Sequence, residues 1–248
     1  MADPAAQEPS AVLELLDKDL VFIDFEMTGG DTERHDIIEV GAVRSRLPEL
    51  AVLGELSVKV APRTTRGTNL NSLRIAGYSA KEWKSAIPVE DALAHLQEFA
   101  AGSTFVGWAT YNDLLFLVAA ATRAGLDGLV GDAYLELQDW AQARLHLTRT
   151  PGLQRVADQL KIVRDQEHSA IEDALVTFEV FRMLWRYSAE ELDQIAPELD
   201  WNSYVEHAGP ITLGPADAEA RRIELASFIV RGTSREELQA RRGSFRRD

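Results

Sequence analysis

Asp24 and Glu26 close the run DLVFIDFEMT, residues 19–28, at positions i and i+2. In an extended strand such side chains share one face. Two acids side by side at the end of an apolar strand are costly unless positive charge sits between them, and Mg²⁺ prefers carboxylate oxygens. A strand that runs out into solvent would show the same two residues. Asp113, in GWATYNDLLFL at residues 107–117, stands where an expected strand gives way to an apolar helix. Asp is also a favoured N-cap, and a cap explains it without metal. In HSAIED, residues 168–173, Ser169 and Glu172 have capping-box spacing, which assigns Glu172 to the helix start. His168 is then on the preceding loop. Asp173 falls in the first turn, beside the apolar face of Ile171, Ala174, Leu175, Phe178 and Phe181. A surface histidine and a dipole-stabilising aspartate would look the same.

These groups need a scaffold, and the apolar periodicity supplies one. Asp19–Thr28, Ile37–Arg46 and Leu53–Ala61 read as three strands in succession, an antiparallel meander punctuated by Pro48 and Pro62. The period then changes. Val89–Ala101 reads as a helix, Thr104–Trp108 as a strand, Asp113–Ala124 as a helix closed by Gly125, and Tyr134–Gln138 as a fifth strand. Leu153–Leu160 and Ala170–Tyr187 read as helices. The expectation is an α/β fold, a mixed five-stranded sheet layered by helices. Ser188–Leu199, Ala216–Val230 and Ser234–Arg242 suggest a helical C-terminal extension, and residues 1–10 are expected to fray.

The 248 residues are 46% hydrophobic and 27% charged, which argues against long disorder. The absence of cysteine excludes a disulfide framework, thiolate zinc sites and cysteine nucleophiles. No basic leader or long apolar run is present, so a cytoplasmic protein with no membrane partner is expected. The net charge is −14. Affinity for phosphates rests on Lys and Arg, so such a chain is a poor general nucleic-acid binder. Bound metal ions can supply positive charge locally. Residues 221–248 carry eight Arg against four acids, a solvated helix face or a phosphate-binding arm. Removing residues 209–248 is expected to leave a folded core. His35 and His146 have no partner at ligand spacing, and Trp83, Trp140, Trp185 and Trp201 are expected to pack.

Together the three acidic features say more than any one of them. The order Asp24-x-Glu26, an Asp opening a helix after a strand, and His-x-x-x-x-Asp resembles the DEDDh 3′–5′ exonuclease superfamily, on the ribonuclease-H-like fold. FIDFEMTGGDTERHDIIEVGAV is similar to the first motif of oligoribonucleases and related exonucleases. GWATYNDLLFL resembles their second motif, and LQRVADQLKI with HSAIEDALVTFEVF their third. The resemblance covers roughly residues 18–187. The expected domains are a flexible segment 1–17, an exonuclease domain 18–187 and a helical extension 188–248.

The resemblance implies that Asp24, Glu26, Asp113 and Asp173 are metal carboxylates and His168 the histidine of the subclass. Asn112 would take the second-Asp position on a one-residue slip. Asp113 is preferred, because a carboxylate is the better ligand and the Phe116-Leu117 spacing fits. Two divalent cations, Mg²⁺ or Mn²⁺, would relieve the repulsion among the carboxylates. His168 would act as general base on the attacking water. Met27, Thr28, Gly29 and His168 would border the terminal nucleotide. The implied activity is metal-dependent 3′–5′ exonuclease cleavage of single-stranded RNA or DNA with a free 3′ end. RNA is slightly favoured, and nucleoside 5′-monophosphates are released. A homodimer is a candidate assembly. The alternative is a catalytically silent exonuclease-like adaptor that binds nucleic acid or a protein partner.

Overall fold

A computed structural model describes residues 9–64, 67–126, 128–162, 169–187, 191–192 and 214–244. Among them a six-stranded mixed sheet runs in the order β3-β2-β1-β4-β5-β6. The strands are β1 (Leu20–Met27), β2 (Ile37–Ser45), β3 (Val52–Lys59), β4 (Thr104–Gly107), β5 (Ala133–Glu136) and β6 (Ile229–Arg231). β1, β2 and β3 form the expected antiparallel meander. β4 pairs parallel with β1, and β5 parallel with β4. The helices are α1 (Pro9–Leu13), α2 (Leu70–Ile75), α3 (Val89–Phe99), α4 (Thr110–Ala124), α5 (Leu137–Arg144), α6 (Leu153–Gln159), α7 (Ala170–Arg186), α8 (Pro215–Ala226) and α9 (Arg235–Ser244).

β1 is central and apolar on both sides, as a strand covered by helices on each face must be. Leu20 and Phe22 join one core with Phe178 and Phe181 of α7. Val21, Ile23 and Phe25 join the other with α3 and α4. The Phe22 ring meets those of Phe178 and Phe181 edge-on, each at 5.1 Å between centroids. That contact pins α7 across β1.

Three sequence expectations change. First, the sheet has six strands, not five. β6 pairs antiparallel with β5 and lies inside the segment expected to be a helical extension. Leu225 and Ile229 complete one core and Leu238 the other, so residues 215–244 finish both layers. Removing them would strip the edge of β5 and open both cores, contrary to the expected folded remnant. Second, residues 9–16, placed in a flexible start, are helical, and Val12 and Leu16 are buried. Arg222 of α8 donates to the carbonyls of Leu13 and Leu16 and pairs with Asp17. Third, the fifth strand stops at Glu136, whose carboxylate accepts from the Gln138 N–H and starts α5. Leu137, Trp140 and Ala141 give α5 its buried i, i+3, i+4 stripe. Most of the expected helix Ser188–Leu199 lies outside the described residues.

Leu238 is 1% exposed and ties α9 to the core around α4. Leu238→Ala is expected to lower unfolding stability by about 2–5 kcal/mol, the usual range for a buried leucine. Urea denaturation checks this, and an unchanged midpoint would contradict the docking of α9.

Candidate metal centre

Alternation along β1 continues the α7-facing side from Phe22 to Asp24 and Glu26. Going forward along β1 means going backward along α7, from Phe178 toward Asp173 in its first turn. The strand therefore delivers its two carboxylates where the helix begins. One carboxylate oxygen each from Asp24, Glu26 and Asp173 lies within 4.8 Å of the other two, and all three residues are half-buried.

The helix can start so close because of Gly41. Gly41 sits directly across from Asp24 in the β1–β2 register. A Cβ there would lie 2.1 Å from the Ala170 carbonyl, an impossible contact, so only glycine lets α7 rest on bare β2 backbone. The capping box expected at Ser169 does not form, since the Ser169 side chain makes no cap hydrogen bond. Instead the Glu39 carboxylate, from β2 opposite Glu26, accepts from the Ala170 N–H. Docking on the strand brings a tertiary acceptor to the helix end and displaces the local one. Glu39 is 4% exposed. Its role is not legible from motif spacing, and the one signal in the sequence is an acid two residues before a glycine in the apolar run IIEVGAV.

Asp113 arrives differently. β1 pairs with β4 only as far as Phe22–Val106, and β4 ends at Gly107. The next backbone donor on that side, the Phe25 N–H, has no strand to bond. Asp113 Oδ1 accepts from it at 3.0 Å. Ala109, in the left-handed conformation (φ 52°, ψ 45°), turns the chain so that α4 starts at Thr110, three residues earlier than expected. Asp113 is thus inside the first turn, 6% exposed, and is not the N-cap. Its charge is among those that act on Asp24, while Asn112 bonds the neighbouring Tyr111.

The carboxylates disfavour one another's ionisation. Burial, then the charges of Asp113, Asp173, Glu26 and Glu39, push the Asp24 carboxyl well above its ordinary range. Burial, then Asp173, Glu39 and Asp113, raise Glu26 to about 8. Burial raises Asp113 to about 7, against the lowering pull of the Phe25 N–H. A cluster of hard oxygen donors with excess negative charge and partial solvent access suits a hard divalent cation. It does not suit the fully ionised metal-free protein.

Past β1 the chain is held by its own hydrogen bonds. Thr28 donates its N–H to the Asp36 carbonyl, and its Oγ1 accepts from the Asp36 N–H. The Thr28 carbonyl accepts from Asn69. The His35 ring lies against Gly29 at a distance that leaves no room for a side chain there. His35 Nδ1 accepts from the Asp31 N–H, a satisfied polar role as expected. Met27 packs at the edge of the core. Trp83, Trp140 and Trp185 are buried, whereas His168 and Trp201 lie outside the described residues. No helix of the described residues is long and apolar enough to cross a membrane.

Residues 21–181 match the RNase T family model, described as exonuclease. A Mycobacterium tuberculosis protein bearing the provisional name of a bifunctional exonuclease/endonuclease is 28% identical over 191 residues, 74% of this chain and 29% of that protein. A PolC-type DNA polymerase III of Thermotoga maritima is 28% identical over 166 residues, 66% of this chain and 12% of the polymerase. The chain spans less than a third of the length of the curated relatives it matches. Among solved structures, the nuclease domain of 3′hExo, a DEDDh family member bound to rAMP, superposes with a TM-score of 0.60 at 16% identity. That match covers 69% of this chain and 94% of that one. E. coli exonuclease I with a dA16 oligonucleotide gives 0.59 at 14% identity, over 77% and 43%. At these identities the superpositions show a shared fold.

The raised carboxyls set a pH dependence. In the metal-free folded protein Asp24, Glu26 and Asp113 hold protons that the unfolded chain releases near pH 4. The contribution of Glu26 and Asp113 to stability is full below that pH and is lost as pH rises through about 7 to 8. In EDTA the Tm is expected to fall between pH 5.5 and 8.5, less steeply in Asp24→Asn, and less steeply in wild type with Mn²⁺ added. Thermal melts of both proteins across that range check this. Identical pH slopes in the two would contradict a repelling cluster around Asp24.

Proposed function

The chain belongs to the RNase T exonuclease family, and from that premise we propose that it is a metal-dependent 3′–5′ exonuclease acting on single-stranded nucleic acid. It shortens RNA or DNA from a free 3′ end, RNA ahead of DNA, and releases nucleoside 5′-monophosphates. The observation that carries this reading is the convergence of Asp24, Glu26 and Asp173 within 4.8 Å at the start of α7, with Asp113 beside them. Relatives with the same fold were solved with rAMP and with a DNA oligonucleotide, which supports a single-stranded substrate of either sugar.

In this reading Asp24, Glu26, Asp113 and Asp173 would hold two divalent cations, Mg²⁺ or Mn²⁺. Bound there, the cations would supply Lewis-acid stabilisation of the phosphate and a more acidic attacking water. Asp24, the residue most surrounded by other carboxylates, would be central among the residues that hold the cations. Glu39 holds the start of α7 and so keeps Asp173 in place. His168, two residues before α7, takes the proton of the attacking water. Met27, Thr28 and Gly29 border the terminal nucleotide. The backbone groups of Thr28 are already bonded within the protein, so Thr28 shapes that border and does not read the substrate. A silent adaptor would have no use for the mutual repulsion that the cluster imposes.

The test is incubation with 5′-labelled single-stranded RNA and DNA in Mg²⁺, Mn²⁺ and EDTA. A ladder shortening from the 3′ end only with metal is expected, and no cleavage of either polymer overturns the reading. Asp24→Asn is expected to abolish cleavage while the protein stays folded. His168→Ala is expected to lower the rate about 10²–10⁴-fold, with Mn²⁺ affinity nearly intact. The rise of the rate through about pH 6.5 is expected to flatten in that variant. Asp173→Asn is expected to weaken both metal binding and rate. Full activity and an unchanged pH profile in His168→Ala would remove His168 from the base role.

A further inference from the structure

The Arg-rich C-terminal segment is the obvious phosphate-binding element by sequence, and the structure gives several of its described arginines other partners. Arg235 pairs with Glu33, Arg241 with Asp139, and Arg222 with Asp17, while Arg242 donates to the Gly30 carbonyl. These side chains fasten the end of the chain to the acidic remainder. Arg235 and Arg242 also line a cavity of about 420 Å³ beside the loop after β1, where Asp31 and Glu33 balance them.

A second cavity, of about 720 Å³, opens at the start of α4. Ala109, Tyr111, Gln138, Gln142 and Arg149 line it, with a threonine on either side of the arginine. It begins at the left-handed Ala109 turn, one helical turn, about 5.4 Å of rise, before Asp113. The loop after Met27 lies toward the far end of α4, where Arg123 donates to the Thr32 carbonyl. Along α4, Asp113 therefore stands between that loop and this cavity.

The lining is unusual for a chain of net charge −14. No acid lines the cavity among the described residues. Arg149 is exposed and has no hydrogen bond or ion pair to another described residue. Gln138 and Gln142 spend amide N–H groups on the Pro151 and Leu147 carbonyls. Their side-chain oxygens accept no hydrogen bond from a described residue. A free guanidinium suits a phosphodiester, and the amide oxygens suit base N–H edges. The volume lies within the about 300–1,000 Å³ of small-ligand sites.

We propose that this cavity is the subsite for the nucleotide on the 5′ side of the scissile phosphate, with Arg149 holding its phosphodiester and Gln142 and Gln138 facing its base. The proposal rests on the exonuclease reading for the direction of the strand. Arg149 then does the work that the sequence suggested for the C-terminal arginines. It offers positive charge in a cavity that begins at Ala109, one helical turn before Asp113.

The test is binding of nuclease-resistant, phosphorothioate single-stranded RNA and DNA 8-mers in Mg²⁺, followed by fluorescence anisotropy at several salt concentrations. Arg149→Glu is expected to weaken binding roughly tenfold or more and to reduce the salt slope by about 0.7, the value for one phosphate contact on a single strand. Arg149→Ala is expected to do so less strongly. Arg155→Glu makes the same charge change on exposed α6, outside the cavity, and is expected to bind like wild type. Wild-type binding by Arg149→Glu, an equal loss in Arg155→Glu, or no binding by the wild type overturns the subsite. Cleavage of ordinary oligonucleotides is scored separately, so an inactive wild type that binds through Arg149 would strike the exonuclease reading and leave the cavity as a strand-binding site.

Discussion

Everything at the candidate centre depends on one close approach, the first turn of α7 lying on the bare backbone of β2 at Gly41. A methyl group at that point would have to sit 2.1 Å from a carbonyl. Because it is absent, the long helix begins within reach of the strand that carries Asp24 and Glu26. The same approach turns Glu39 into the cap of the helix. Three carboxylates from one strand and one helix then crowd a space that water only partly reaches.

That crowding is in tension with folding. Carboxyls raised to about 7 and about 8 are groups that the metal-free fold would rather keep protonated. The scaffold tolerates them because the apolar part of β1 is covered on both faces and α7 is clamped by aromatic contacts one turn away. Asp113 adds charge but also satisfies the Phe25 N–H, which β4 leaves unbonded by ending early. One side chain thus closes a gap in the sheet and adds its charge to the acidic cluster.

The charge asymmetry of the chain has a structural use. The acidic body and the basic end meet along α8 and α9, where arginines reach Asp17, Glu33, Asp139 and backbone carbonyls. Exposed pairs of this kind contribute about 0–1 kcal/mol each. The buried Leu225, Ile229 and Leu238 carry most of the attachment. The ion pairs set how the segment lies, with α9 against α4 and its arginines against the loop that follows β1.

Much was legible in the linear pattern. The two-residue period put Asp24 and Glu26 on one face, and the 3.6-residue period of Ala170–Arg186 put Asp173 at the start of a core helix. These are local consequences of backbone geometry and apolar spacing, and a chain carries them without its neighbours. Glu136 hid the break between β5 and α5, because a buried cap looks like one more residue of an apolar strand. β6 hid in the basic end, because a three-residue edge strand has no period of its own and exists only where β5 offers it an unpaired edge. Gly41 and Glu39 were plain in the sequence but silent. A glycine shows what it is for only when another backbone lies against it. An acid becomes a helix cap at long range only when the sheet brings the helix to it. Residue types and their spacing determined which groups could bind metal, and the packing of α7 on β2 and of α4 beside the short β4 decided that they meet, since contact between distant segments is a property of the folded chain alone.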